Sequence, residues 1–387
     1  MFSESGGKVI TAKVLGVMSA CVLCGILVAG LWPFHSPKNE VAWSGNEGGL
    51  RFGDYGTVLS SGAFKMASSR GDASCSLEIW LQPGLTYDTN TFLAFYTPGN
   101  PLQFSLHQSN PDLELQRDTQ NQQHQTGTAR LYIDHVFRQG KPVFITITSD
   151  AEETRVYIGG ALVRASRQFR LTSKDFTGQL VVANSPLEND SWSGELRGLA
   201  IYNRNLTAAQ VLQHYEGWTK KGHPNLAKND GAVALYLFNE HSGNVIHNQV
   251  SSGIGLYIPA RYMILHQVFL DPIWKEFSLS WGYWKNVLIN IGGFIPLGFL
   301  FCAWLSSFSN LKRAVLVTIA LGFATSLTIE TLQAFLPTRD SGMMDIITNT
   351  LGTCLGAMLY RWRFVRENLY RIAFVGFRWF PASRSAR

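Results

Sequence analysis

The 387-residue chain has too few cysteines to build a disulfide framework. Four of its five cysteines, Cys21, Cys24, Cys302 and Cys354, fall in apolar runs, and only Cys75 sits in polar surroundings. A domain stapled by disulfides is therefore excluded. Cys21-Val22-Leu23-Cys24 has the spacing of metal and redox sites, but in an apolar helix without other ligands it reads as small packing residues. Positive charge spread over a domain is missing as well. The formal net charge is +6, and residues 361–387 alone, with seven Arg and one Glu, account for it. No basic footprint is left for nucleic acid; a basic tail after an apolar run reads as a cytoplasmic anchor on anionic lipid. The polar part of the chain also lacks the paired carboxylate motif that glycosidases need.

Charge is nearly absent from four stretches, residues 14–32, 287–305, 314–336 and 345–362, of 19, 19, 23 and 18 residues. A spanning helix needs about 20. The chain thus reads as a multidomain membrane protein with four transmembrane helices. No small-x-small cleavage site clearly follows the first stretch, so 14–32 is expected to be an uncleaved signal anchor. Lys8 and Lys13 precede it, Lys312 and Arg313 lie between the second and third stretches, and the Arg cluster follows the fourth. All three groups share one side if the N-terminus is cytoplasmic. The long polar segment and the 337–344 loop are then outside.

That polar segment is patterned as β-structure. Ser74-Cys75-Ser76-Leu77-Glu78-Ile79-Trp80-Leu81 alternates with a period of two and stops at Pro83-Gly84. Residues 154–158 run into Gly159-Gly160 and resume at 161–163, a hairpin signal. Residues 142–148, 179–183 and 194–202 read as further strands, and Thr207 is placed to cap a helix over 208–215. Many short strands with turn punctuation argue for an antiparallel sandwich. Glu78, Asp190 and Glu195 are expected on solvated faces or loops. Residues 257–285, with Tyr262, Phe269, Trp274, Phe277, Trp281, Tyr283 and Trp284, read as an interfacial aromatic belt. The tail after residue 362 alternates Arg with apolar residues and reads as an amphipathic interfacial helix.

Three motifs in order resemble laminin-G-like, concanavalin A-type jelly rolls: Ser76-Leu77-Glu78-Ile79-Trp80-Leu81-Gln82-Pro83, Arg155-Val156-Tyr157-Ile158-Gly159-Gly160, and the run from Trp192 through Gly194-Glu195-Leu196 and Ile201-Tyr202-Asn203-Arg204 to Val211. A fourth, Ala232-Val233-Ala234-Leu235-Tyr236-Leu237-Phe238, resembles the strand that usually opens such domains, yet here it comes last. The resemblance implies a permuted sandwich that binds a glycan or a surface partner. Calcium is possible in such a domain but no motif supports it, and no cofactor is expected.

In the apolar C-terminal part, polar and small residues recur at helical spacing. Asn286, Asn290, Gly293 and Leu297 share one face of the second span. Gly322, Ser326, Glu330 and Gln333 share one face of the third; Asp345, Asn349, Gly352 and Gly356 share one face of the fourth. Ionisable groups inside a bilayer are costly and usually functional. Small residues let helices approach, and polar residues face each other rather than lipid. The three stripes are expected to turn inward, with Arg339 reaching Glu330 or Asp345 from the loop.

The segments Asn290-Ile291-Gly292-Gly293-Phe294-Ile295-Pro296-Leu297-Gly298, Ser326-Leu327-Thr328-Ile329-Glu330-Thr331-Leu332-Gln333 and Pro337-Thr338-Arg339, with Asp345, Asn349, Gly352 and Gly356 after them, resemble the VanZ-like family. The resemblance implies a cell-envelope membrane protein tied to glycopeptide resistance of the teicoplanin type or to envelope polysaccharide, with Asn290, Glu330, Gln333, Arg339, Asp345 and Asn349 as ligand-binding candidates. Its partners would be the lipid bilayer and a glycan, a peptidoglycan precursor or a glycopeptide. Two other readings stay open. In one, an intramembrane enzyme acts on a lipid-linked envelope precursor, with Glu330 or Asp345 as general base and Arg339 on phosphate or carboxylate. In the other, the helices only anchor an adhesion module and the charges only fix helix packing. The expected division is 1–13 cytoplasmic, 14–32 anchor, 40–256 sandwich, 257–285 linker, 286–362 helical domain and 363–387 tail.

Overall fold

The computed structural model describes residues 2–45, 48–66, 74–120, 126–221, 230–250 and 253–362. The tail expected to lie at the membrane surface falls outside them. The chain divides into two compact units. Ser36–Gln267 forms one; Met1–His35 and Val268–Arg387 form the other.

The first unit begins with the strands β1 (Val41–Trp43), β2 (Leu50–Phe52), β3 (Val58–Phe64), β4 (Cys75–Pro83), β5 (Thr89–Thr97) and β6 (Asn100–Ser109). It continues with β7 (Asp112–Gln120), β8 (Thr126–Ile133), β9 (Val143–Ser149), β10 (Thr154–Ile158), β11 (Ala161–Ser166), β12 (Gly178–Val182) and β13 (Gly194–Tyr202). A helix (Ala208–Lys221) follows, then β14 (Ala232–Tyr236), β15 (Val245–Ile246) and β16 (Leu256–Tyr257). One sheet runs β1-β2-β13-β4-β9-β10-β11, with β14 also on β13; the other runs β15-β16-β3-β12-β5-β6-β7-β8. Every pairing between these strands is antiparallel. The fold is therefore an antiparallel sandwich, as the alternation predicts.

Alternation decides which side chains fill it. Leu77, Ile79 and Leu81 of β4 enter the core between the sheets, with Phe95, Phe104 and Phe176 stacked edge to face or tilted nearby. The β10–β11 hairpin closes on Gly159 and Gly160, both at positive φ (58° and 79°), which a two-residue turn of the primed type requires. β14 pairs with β13 through Leu199↔Tyr236 and Ala200↔Leu235, beside the stretch where β2 pairs with the start of the same strand. The late strand thus completes a flank that the N-terminal strands leave open.

Three expectations change here. The helix predicted over 208–215 runs on to Lys221, because Val211, His214 and Trp218 continue one buried face. Thr207 and Gln210 exchange hydrogen bonds at its start, Thr207 N–H to Oε1 at 2.9 Å and Gln210 N–H to Oγ1 at 3.3 Å, a capping box. The helix lies over the non-core face of β4, so Glu78 is fully buried rather than solvated. Tyr262, placed in the aromatic belt by composition, belongs to the sandwich; its hydroxyl is buried among Ser191, Asn184 and Asn189. Trp274, Trp281, Phe269 and Phe277 are exposed.

In chain order the sandwich helix Ala208–Lys221 is α2, and the other unit contributes α1 (Phe2–Leu31), α3 (Ile273–Glu276), α4 (Trp281–Leu305), α5 (Leu311–Gln333) and α6 (Met343–Arg361). Three of them, over Ala12–Leu31, Trp281–Leu305 and Leu311–Gln333, are long and apolar enough to cross a membrane. α6 is long enough but falls short in apolar character, because its positions go to Thr348, Asn349, Gly352, Thr353 and Gly356, all buried against its neighbours. A Cβ on Gly352 would fall on the Ile291 carbonyl, one on Gly356 on the Ile295 carbonyl, and one on Gly298 on the Thr353 carbonyl. α4 and α6 therefore touch backbone to backbone, the contact that small residues permit. α4 starts at Trp281, ahead of the expected linker boundary, and continues through Pro296. α1, although a whole sandwich separates it in sequence, packs on α4 and α5.

Candidate functional site

The site is built around the N-terminus of α6. The first N–H groups of a helix have no partner within it. The N-cap here is Gly342, which has no side chain to offer. Two carboxylates from elsewhere take over. Glu330, near the end of α5, accepts the Gly342 N–H through Oε2 at 2.9 Å. Glu276, at the end of α3, accepts the Met344 N–H through Oε2 at 3.2 Å. Negative charge at this end also suits the helix dipole.

Capping accounts for one oxygen of Glu330. Its side chain is 1% exposed, and Oε1 is buried with no hydrogen-bond partner among the described residues. Asn349, one turn into α6, is in a similar state. Its Nδ2 donates to Ser326 Oγ at 3.0 Å, while Oδ1 is buried with no partner among the described residues. Asp345 accepts from Asn290 Nδ2 at 2.7 Å. Gln333 Nε2 donates to the Gly30 carbonyl at 2.9 Å, which ties α5 to α1.

All six sequence candidates, Asn290, Glu330, Gln333, Arg339, Asp345 and Asn349, line one cavity of about 380 Å³. Its apolar wall comes from Ile26 of α1, Phe294 of α4 and Ile329 of α5. Arg339 meets a partner that the sequence did not suggest. Its Nε and Nη2 both donate to the Trp32 carbonyl, at 3.0 and 2.8 Å, just past the end of α1. A second recess of about 210 Å³ shares Asn286 and Asp345 with the first and adds Asp271, Glu276 and Asp340. Sequence reasoning missed these three acids and the contribution of α1. No periodicity marks them; only the polar interruptions before α4 and α6 hint at them.

The sandwich holds two buried polar groups of its own. Glu78 Oε2 accepts from the Tyr202 hydroxyl at 2.6 Å and from Trp218 Nε1 at 3.3 Å, and Oε1 meets His214 Nδ1 at 3.0 Å. His214 Nε2 meets Asp230 Oδ2 at 3.3 Å. Burial alone would lower the His214 pKa, but Glu78 and Asp230 outweigh it and raise the value. On the second sheet, Asp190 accepts from the Thr91 N–H at 3.0 Å and from its hydroxyl, and Thr91 Oγ1 and Ser105 Oγ flank the His107 ring at 2.9 and 2.8 Å. Burial pushes Asp190 up to about 7. Burial, with help from Arg130, pushes His107 down to about 4. Asp190 is thus not a solvated loop acid. Glu195 is partly buried and pairs with Arg197 at 2.8 Å.

Comparison with known proteins places both parts. Residues 54–212 match the profile of the concanavalin A-like lectin/glucanases superfamily, and residues 232–366 match that of VanZ/LLP1. The VanZ/LLP1 match starts inside the sandwich, at β14, whereas the structural division falls after Gln267. None of the curated proteins matches the chain. Similar solved structures include a putative carbohydrate binding protein from Bacteroides ovatus (12% identity, 58% of each chain, TM-score 0.36). The heptameric SAP-like pentraxin from Limulus polyphemus is another (14% identity, 58% of this chain and 93% of that one, TM-score 0.32). A third is the Ruminococcus gnavus IT-sialidase CBM40 bound to alpha2,3 sialyllactose (12% identity, 43% of this chain and 95% of that one, TM-score 0.32). The match spans little more than half, 58%, of the Bacteroides ovatus chain. On the family matches, the chain joins a concanavalin A-like laminin-G region to a VanZ-like region that carries the apolar helices.

Proposed function

We propose that the chain is a bacterial cell-envelope protein of the cytoplasmic membrane. Its helical unit binds an envelope component in the cavity around Glu330, and its sandwich, outside the membrane, engages a glycan or a surface partner. The VanZ-like match supports a role in glycopeptide resistance or in envelope polysaccharide biogenesis. Lys8, Lys13, Lys312 and Arg313 support a cytoplasmic N-terminus, with the sandwich and the 337–344 loop outside.

The observation that carries this reading is Glu330, a buried residue that lines a cavity and whose Oε1 has no hydrogen-bond partner among the described residues. Leaving a buried charged group half satisfied costs on the order of 1–3 kcal/mol or more. A purely structural anchor has no use for that cost, because a Gln would cap α6 as well. The docking of Arg339 on the Trp32 carbonyl supports binding over the enzyme reading, which needs that guanidinium on the substrate.

The test is complementation. A deletion strain carrying Glu330→Gln or Asp345→Asn at wild-type protein levels should lose resistance to a teicoplanin-type glycopeptide, or tolerance of envelope stress, as completely as the deletion. Full complementation by both variants would reduce the cavity to packing.

A further inference from the structure

If the Glu330 cavity is the functional site, its chemistry narrows the ligand. Two buried cavity residues carry an oxygen with no hydrogen-bond partner among the described residues, and both oxygens are acceptors: Glu330 Oε1 and Asn349 Oδ1, on side chains 1% and 5% exposed. Two of the neighbouring amides already donate, Asn349 Nδ2 to Ser326 and Asn290 Nδ2 to Asp345. A ligand that meets these two oxygens does so by donating hydrogen bonds. It must also suit a negative field. Asp345 shares the cavity, and Asp271, Glu276 and Asp340 line the recess beside it. In a poorly solvated site such a field attracts cations strongly. A metal ion fits badly, since among the described residues no three His, Cys, Asp or Glu side chains form a group able to hold one. The remaining wall is Ile26, Phe294 and Ile329, which offers a track for an alkyl chain.

We infer that the cavity takes an amphiphile bearing a primary ammonium group, whose N–H donors meet Glu330 Oε1 and Asn349 Oδ1 while its chain lies along Ile26, Phe294 and Ile329. A quaternary ammonium group carries charge but no N–H, so it answers neither acceptor. The amine can belong to a membrane lipid headgroup or to a free cationic amphiphile.

The experiment uses the full chain purified in a non-ionic detergent. Phosphatidylethanolamine, phosphatidylcholine, phosphatidylglycerol and dodecylamine are titrated in turn, with adducts counted by native mass spectrometry. Wild type should bind an amine at least about tenfold more tightly than phosphatidylcholine or phosphatidylglycerol, since a hydrogen bond to a charged group carries at least that factor. Binding of phosphatidylethanolamine alone identifies a lipid headgroup, and binding of dodecylamine alone a free amine; either supports the inference. Glu330→Gln should weaken amine binding about tenfold or more. Ala29→Phe, on α1 and away from the α6 cap, fills the cavity and should abolish it, so the test holds even if Glu330→Gln folds poorly. Equal binding of phosphatidylethanolamine and phosphatidylcholine, no amine binding by wild type, or binding indifferent to Ala29→Phe would overturn it. Such a failure, combined with loss of complementation by Glu330→Gln, would leave the cavity functional and only the ligand class wrong.

Discussion

Two buried glutamates, one in each unit, are treated in opposite ways. Glu78 in the sandwich has both oxygens engaged, by Tyr202, Trp218 and His214, and His214 is itself engaged by Asp230. Glu330 in the helical unit, which lines a cavity, has one oxygen engaged, by the Gly342 N–H, and the other without a hydrogen-bond partner among the described residues. Both side chains are at most 1% exposed. Burial alone therefore says nothing about role. A fully answered charge serves the fold: it pins the α2 helix to the β4 face. A half-answered charge beside a cavity is what the proposed ligand site requires. The same contrast separates the neutral chain Thr91–His107–Ser105 from Asn349, whose amide is satisfied at nitrogen and not at oxygen.

The sharpest way to break this comparison is to remove the imidazole. His214→Ala leaves Glu78 and Asp230 buried without their shared partner, and stranding a buried charge costs about 3–5 kcal/mol. Thermal unfolding of the full chain in detergent should show the sandwich transition fall accordingly. The pH dependence has a definite sign. His214 is raised in the fold from 6.5, so its contribution is fully present below the unfolded value and is lost as pH rises through the folded one. The gap between wild type and variant should shrink on moving from pH 5.5 to alkaline pH. A variant as stable as wild type at pH 5.5 would show that the network does not hold the helix down.

A smaller effect is expected from the helix contacts. Gly356→Ala places a methyl group against the Ile295 carbonyl and should cost about 1–3 kcal/mol by overpacking. Gly292→Ala, in the facing helix, meets nothing within 4 Å and should change stability by no more than about 0.5 kcal/mol. The pair shares one chemistry and differs only in what lies opposite. Equal melting temperatures for the two would mean that α4 and α6 do not approach backbone to backbone.

How much of this could be read beforehand follows from the range of the interactions. Strand alternation in Leu77, Ile79 and Leu81 and the glycine pair at the β10–β11 turn are local signals, and they place the sandwich correctly. Helical spacing likewise groups Ser326, Glu330 and Gln333 on one face and Asp345 and Asn349 on another. Glu78 was misread because alternation shows only that it points away from the core. It does not show that a helix more than a hundred residues later covers that face. Tyr262 was misread because an aromatic near an apolar run looks interfacial by composition, whereas its partners Asn184 and Ser191 are distant in sequence. The same limit hid the Trp32 carbonyl from Arg339 and hid Glu276 from the α6 N-terminus. Caps supplied across the fold leave no local spacing to find.

The smallest expected effect on stability is the one that sharpens the comparison most. Glu330→Gln keeps the length and shape of the side chain, and its amide oxygen can still accept the Gly342 N–H that Oε2 accepts now. It removes a charge that is 1% exposed and half unanswered. Losing the cost of burying that charge offsets a weaker cap, so the melting temperature should stay within about 2 °C or rise slightly. Sites kept for function commonly behave this way, with stability given up for activity. The matching change in the sandwich, Glu78→Gln, should behave oppositely, because the charge it removes is the one His214 depends on. Parallel melts of the two variants in the full chain decide the matter. Should Glu330→Gln destabilise as much as Glu78→Gln, the unanswered oxygen would be answered after all within the fold, and the two glutamates would be alike.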